Sequence, residues 1–194
     1  MVSSGEAVFL RGLHPFLWLA WLTYWLIAAR GIKPAVRHEE TAERLTYSVP
    51  LFLAMMLFIT PRHFPMLQHR LFDETQVAYW IGTVMLIAGL AFCSWARAVL
   101  GRNWSGTVTV KQDHELIQTG PYRLVRHPIY TGLLVALAGS ALAQDLWSSL
   151  LALALCFVSF WVKLQREEAF MRETFGVKYE AYCVRTKRLV PFVF

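Results

Sequence analysis

The chain has 194 residues, a formal charge of +6, 56% hydrophobic residues and eight tryptophans, with a mean hydropathy of +0.41. Such a composition excludes an ordinary soluble domain, and the length suits a single one, residues 1–194. The basic excess comes with no basic arm or nucleic-acid motif, so no nucleic-acid partner is expected. Cys93, Cys156 and Cys183 form no C-x-x-C pair, which argues against disulfides and metal clusters.

Five stretches carry no Asp, Glu, Lys or Arg: Gly12 to Ala29, Leu45 to Pro61, Thr75 to Ala96, His127 to Gln144 and Leu146 to Val162. Each is close to the roughly 20 residues that a bilayer-spanning helix needs, so the expected fold is all-α, an integral membrane bundle of five transmembrane helices. The first run lacks an A-x-A cleavage site and is read as a retained helix. Pro50 and Pro61 bracket the second, which leaves a re-entrant segment open there. The connection 30–44 mixes basic residues with Glu39, Glu40 and Glu43, read as a solvated face. His63 and His69, in the next loop, do not share a helix face, so no metal site is expected. In the third run Gly82 and Gly89 suit close helix contact. TVTVK, Thr107 to Lys111, alternates like a strand but is short.

Orientation follows from the basic residues. The connections after the first and third helices and the C-terminal tail hold 16 of the 19 Lys and Arg residues. The positive-inside rule then places the N-terminus outside, with the tail and any site beside it cytoplasmic.

The stretch His114 to Gly132, HELIQTGPYRLVRHPIYTG, combines a Gly120-Pro121 turn with Pro128, placed where proline opens a helix. A helix start offers unpaired N–H groups and partial positive charge to an anion, and Arg123, Arg126 and His127 add to it. An ordinary proline-capped loop with arginines at the lipid headgroups satisfies the same pattern. Helices 4 and 5 are separated only by Asp145 and its neighbours. Runs of 15 and 17 residues, Ile129 to Ala143 and Leu146 to Val162, are about 22 and 25 Å long, so they form a hairpin whose ends return to one depth. His127 to Tyr130 then meets Lys163 to Glu168, in which Lys163 and Glu167 lie one helical turn apart. Lysine snorkelling with a paired glutamate is the plainer reading of that pair. Tyr179 and Tyr182 either cover a site or pack at the interface.

HELIxxGPYxxxRHPIYxG, a second helix, then Glu167-Glu168, FGxxYxxY at Phe175 to Tyr182 and the ending Arg188 to Pro191 together resemble the isoprenylcysteine carboxyl methyltransferase family and its membrane methyltransferase relatives. The resemblance covers about the last 80 residues. Helices 1 to 3, in residues 1–100, rest on hydropathy, and the resemblance implies a catalytic region in 101–194. The implied cofactor pocket is built from the loop before helix 4, the helix 4–5 hairpin and the tail. It also implies S-adenosylmethionine as methyl donor and a lipophilic acceptor taken from the bilayer. Cofactor contacts fall by that resemblance on Lys111, His114, Glu115, Leu116, Ile117, Tyr122, His127, Pro128, Ile129, Tyr130 and Glu167, and acceptor contacts on Lys163 and Arg166. Where eukaryotic members have an arginine one turn before the glutamate, this chain has Lys163, which keeps the charge but loses the bidentate fork.

A carboxylate acceptor is ionised at neutral pH, so no general base is needed. No G-x-G-x-x-G follows a strand, which excludes a dinucleotide-fold methyltransferase. Two alternatives stand: a phospholipid N-methyltransferase, and an NADPH-dependent sterol or enone reductase, whose members carry a similar R-H-P-x-Y segment.

Overall fold

The computed structural model describes residues 4–60, 65–72, 76–111 and 115–191; His63 and His114 lie outside them. Five long helices stand at the five uncharged stretches: α1 (Ser4–Ala28), α2 (Thr41–Ile59), α3 (Gln76–Leu100), α4 (Pro128–Gln144) and α5 (Trp147–Phe175). A short α6 (Val177–Arg185) follows α5 after Gly176, whose φ of +50° suits a helix stop. Among the described residues three of these helices, α2, α3 and α5, are long and apolar enough to cross a bilayer, while α4 is a shorter apolar helix. Their outward positions are hydrophobic, with Phe52, Val84 and Val158 each at least half exposed, as lipid-facing surface requires. The chain is thus an integral membrane protein. α2 runs unbroken through Pro50, so it is one helix with no re-entrant break.

The architecture is all-α apart from one antiparallel ribbon. β1 (Ala35–His38) pairs with β2 (Thr109–Lys111), so the last three residues of the alternating TVTVK segment form a strand. Glu39 is no solvated residue: its Oε1 accepts from the Tyr47 hydroxyl and, at 3.1 Å, from the Val108 amide. That bond pair fastens the ribbon to the start of α2.

Close packing of α3 on α4 depends on residues without side chains. A methyl group on Gly82 would stand 2.4 Å from the Gly139 carbonyl oxygen, and one on Gly89 2.5 Å from that of Gly132. Gly82 and Gly89 thus meet Gly139 and Gly132 across an antiparallel seam, in which backbones approach as small residues allow. α1 is latched onto this pair by side-chain bonds from His14 to Thr83 (2.9 Å), Trp18 to Ser140 (3.0 Å) and Trp21 to Ser94 (3.1 Å).

The turn between α4 and α5 is as tight as the spacing predicts. Asp145 takes a left-handed φ of 54°, which Asp tolerates better than most residues. Its carboxylate accepts from the amides of Leu71 and Phe72 at 3.2 and 3.1 Å, fixing the loop before α3 to the turn. Beyond the turn the arms part company: α4 packs chiefly on α3, and α5 on α2. The hairpin therefore opens away from Asp145, and its open end holds the cavity described next.

The seam gives a direct expectation. Gly139→Ala lowers the thermal unfolding midpoint in detergent by an overpacking penalty of about 3 kcal/mol. Gly12→Ala, where an added methyl meets nothing within 4 Å, changes stability by no more than about 1 kcal/mol. Equal effects at the two sites would show that α3 and α4 are not in backbone contact.

Candidate functional site

A cavity of about 410 Å³ lies between the open ends of α4 and α5. The loop before α4 supplies Glu115, Leu116, Ile117 and Tyr122; α4 supplies Pro128 to Tyr130; α5 supplies Lys163 and Glu167; and α6 supplies Tyr179 and Tyr182. The loop reaches this position through a single turn at Gly120 to Arg123, opened by Gly120 at φ +59° with Val99 close against it. Pro128 then starts α4, where its missing N–H costs nothing. The preceding amides of Arg126 and His127 donate to the tail carbonyls of Lys187 and Arg188, at 2.8 and 3.0 Å. Ile129 and Tyr130 are left as first-turn amides, which by helix geometry have no partner within the helix.

Glu167 faces this helix start. The Tyr130 hydroxyl donates to its Oε1 at 2.6 Å, and His127 Nδ1 lies 3.6 Å from its Oε2. The Tyr130 ring lies between the His127 imidazole and the Phe160 ring, with centroids at 5.7 and 5.1 Å, so the hydroxyl has one direction in which to point. Lys163 Nζ donates to the Gly106 carbonyl at 2.7 Å and is 4.0 Å from Glu167. The faces of Tyr47 and Tyr130 lie 5.4 and 5.8 Å from the same ammonium, a cation held by aromatic rings. An anion, a cation and apolar walls thus converge on one space.

Glu168, the next residue, points the other way and is fully buried. Its carboxylate binds Arg126 Nε at 2.8 Å, Arg188 at 3.1 Å, Arg172 at 3.3 Å and His127 Nε2 at 3.3 Å. Four elements of the chain meet there. Burial alone lowers the pKa of His127, but hydrogen bonds and charge from Glu167 and Glu168 outweigh it and hold the imidazole above its usual range. Arg126 also donates to the carbonyls of Thr186 and Cys183, and the Tyr182 hydroxyl donates to the Tyr122 carbonyl at 2.6 Å. The tail is thereby strapped across the loop before α4.

Of the residues expected from the sequence, Glu115, Leu116, Ile117, Tyr122, His127, Pro128, Ile129, Tyr130, Lys163 and Glu167 all line the cavity. Glu115 does so while paired with Lys33 at 3.1 Å. Lys111 sits in β2, its side chain outside what the structure describes; His114 falls outside the described residues. Arg166 is not on the wall either, since it turns to Glu43 of α2 at 3.0 Å. That is the consequence of its place one residue before Glu167, about 100° around the helix.

Sequence reasoning missed the wall opposite. Trp21 and Trp25 of α1 and Trp104 complete it, with Trp25 and Trp104 edge to face at 5.4 Å. Their abundance was visible, but nothing local tells a wall tryptophan from one at the lipid interface. Glu168 was visible too, as half of an acidic pair that follows an apolar run, with Lys163, Arg166 and Arg172 nearby in sequence.

Three comparisons bear on the family. A family model described as phospholipid methyltransferase matches residues 77–178. The chain is 33% identical over 168 residues to a probable protein-S-isoprenylcysteine O-methyltransferase of Oryza sativa subsp. indica, covering 81% of this chain and 84% of that one. It is 28% identical over 153 residues to protein-S-isoprenylcysteine O-methyltransferase A of Arabidopsis thaliana, covering 76% and 74%. The fold matches a solved structure of a eukaryotic intramembrane Ras methyltransferase, isoprenylcysteine carboxyl methyltransferase, with a TM-score of 0.54 at 23% identity. That match takes in 80% of this chain but 54% of the larger protein, and at this identity it speaks for the fold. By the family model and the rice relative alike, this chain belongs to the membrane methyltransferase family that groups phospholipid methyltransferases with isoprenylcysteine O-methyltransferases.

Proposed function

We propose that the protein transfers a methyl group from S-adenosylmethionine to the carboxylate of an isoprenylcysteine-like or other lipophilic acceptor drawn from the bilayer. The observation that carries this is the meeting of the α4 start with Glu167, made by Tyr130. The cavity's 410 Å³ falls within the range of about 300 to 1,000 Å³ usual for small-molecule sites. Its donor set also fits: an amino-acid end needs an anion for its ammonium and N–H groups for its carboxylate, and a nucleoside needs apolar and aromatic walls. Glu167 suits the ammonium, the Ile129 and Tyr130 amides the carboxylate, and Tyr122, Leu116, Ile117, Trp25 and Trp104 the remainder. Glu115 is a further candidate at the rim, and His114 stays a candidate by resemblance alone. Lys111 likewise stays a candidate by resemblance alone, and Arg166, turned to Glu43, would need a different geometry to take part.

Bound S-adenosylmethionine supplies a methyl group already activated by a positively charged sulfur. The protein's part is then to hold and align. Lys163 has N–H groups beyond the one given to Gly106, and these suit an acceptor carboxylate as a point charge. No side chain has to remove a proton, because a carboxyl group of pKa about 3.5 is already ionised. Alignment of two bound reactants can supply on the order of 7 to 11 kcal/mol of the barrier. The surrounding apolar walls keep water away from the charges, which strengthens their action. His127, set between Glu167 and Glu168 with a ring nitrogen toward each, keeps both carboxylates in place.

The five long helices are read here as five spans. The segregation of 16 of 19 basic residues favours an external N-terminus and a cytoplasmic tail and cavity. A second reading, methyl transfer to a phospholipid amine, is favoured by the description of the matching family model. The two differ in pH dependence, because an amine must first lose a proton.

Three measurements test this. Titrating the purified protein in detergent with S-adenosylmethionine and with NADPH should show binding of the first alone; binding of NADPH alone overturns the assignment. Glu167→Gln should weaken S-adenosylmethionine by about tenfold or more, as loss of a charged hydrogen bond does, and unchanged affinity would misplace the site. With a carboxylate acceptor the rate should not climb from about pH 6 to about pH 9, and a steady climb indicates an amine.

The raised pKa of His127 gives a further expectation. Stability from its pairing is complete below the unfolded value of about 6.5 and lost as pH rises through the raised folded value. The unfolding midpoint should therefore fall as pH rises above about 6.5, and His127→Gln should flatten that slope. A slope that survives the substitution belongs to another group.

A further inference from the structure

A second cavity, of about 200 Å³, lies where the C-terminal ends of α1 and α3 come together, apart from the one already described. Arg30, Arg97 and Arg102 line it, with Tyr24 and Ile32 as its apolar side. Arg97 is 3% exposed. Its two terminal nitrogens donate to the carbonyls of Ala28 and Gly101, the latter at 2.7 Å, and its Nε is buried without a partner. Arg102 donates to the Gly31 carbonyl at 2.9 Å. All these partners are neutral. Among the described residues no carboxylate lies within ion-pair reach of Arg30, Arg97 or Arg102. Capping of helix ends accounts for the hydrogen bonds but leaves three positive charges uncompensated around one hollow.

The Trp104 ring lies 4.7 Å from the Arg97 guanidinium and that of Trp25 lies 5.9 Å away. Ring faces offset only part of what burying a charge costs. A counter-anion would supply the rest. Elsewhere in the chain the buried cations have one: Arg126 and His127 both reach Glu168.

We infer that this cavity is a binding site for the phosphate of an anionic phospholipid. Arg30 and Arg102 are exposed at the rim, where a headgroup can meet them, while Arg97 supplies fixed charge from beneath. The ends of two long apolar helices mark the depth at which lipid phosphates lie, and Tyr24, 38% exposed, and Ile32, 36% exposed, offer the adjoining apolar contact. The placement at a membrane surface rests on the five-span reading, whereas the uncompensated charge does not. Trp25 and Trp104 are shared with the wall of the larger cavity, so a lipid seated here would stiffen one side of the methyl-transfer site.

The test uses the full-length protein in a neutral detergent with phosphatidylglycerol, phosphatidylcholine or inorganic phosphate added. Lipid retention is read by mass spectrometry of the intact complex and stabilisation by thermal unfolding. Phosphatidylglycerol should be retained and should raise the unfolding midpoint, while the other two should do neither. The double substitution Arg30→Gln with Arg102→Gln, both at exposed positions, should weaken retention about thirtyfold. Equal retention of the two lipids, an undiminished affinity in the double variant, or full stabilisation by inorganic phosphate overturns the inference. S-adenosylmethionine binding measured on the same samples reports on the methyl-transfer proposal separately, because neither arginine touches that cavity.

Discussion

The carboxylate of Glu168 holds the molecule together. It stands fully buried on α5 and is met by Arg126 from the loop before α4, His127 at the α4 start, Arg172 one turn further along α5, and Arg188 from the tail. A buried carboxylate without partners is prohibitively costly, so folding cannot finish until these elements have arrived. Losing a partner from such a cluster costs about 3 to 5 kcal/mol, since the remaining charges stay behind uncompensated. The same condition that fixes the tail also fixes the walls of the cavity.

Glu167 is free for a ligand because Glu168 is not. The two acids divide the work by direction: one ties α5 to the loop and tail, and the other faces the space those elements enclose. His127 touches both, and Tyr130, clamped between His127 and Phe160, carries that order to the cavity-facing oxygen. Preorganisation of this kind keeps binding groups from relaxing into alternative geometries, which is the main service a methyl transfer needs.

Helix packing sets the shape around them. The glycine seam draws α4 onto α3, while α2 claims α5, and Asp145 holds the two arms together at the far end. Arms joined tightly at one end and claimed by different neighbours must leave room at the other. Aromatic residues from α1 and the loop after α3 wall that room, and Tyr47 of α2 sets its ring against the Lys163 ammonium, so the first half of the chain shapes the site around the acidic and basic centre.

Much of this was legible along the chain. Uncharged runs of bilayer length announce the long helices, because a charge within hydrocarbon is costly, and Pro128 announces where α4 starts, because its ring suits only a first turn. Hairpin arithmetic brought Tyr130 and Glu167 together, since rise per residue is nearly constant in helices. Gly82 and Gly89 suggested a seam, although their partners Gly132 and Gly139 did not emerge from spacing. Contacts across space were another matter. Neighbouring helix residues point about 100° apart, so only packing against α2 and the tail decided that Glu167 faces the cavity, Glu168 the arginines and Arg166 Glu43. The pairing of β1 with β2 and the tryptophan wall were decided in the same way. Each joins segments distant in sequence, whose meeting depends on how whole helices lie against one another.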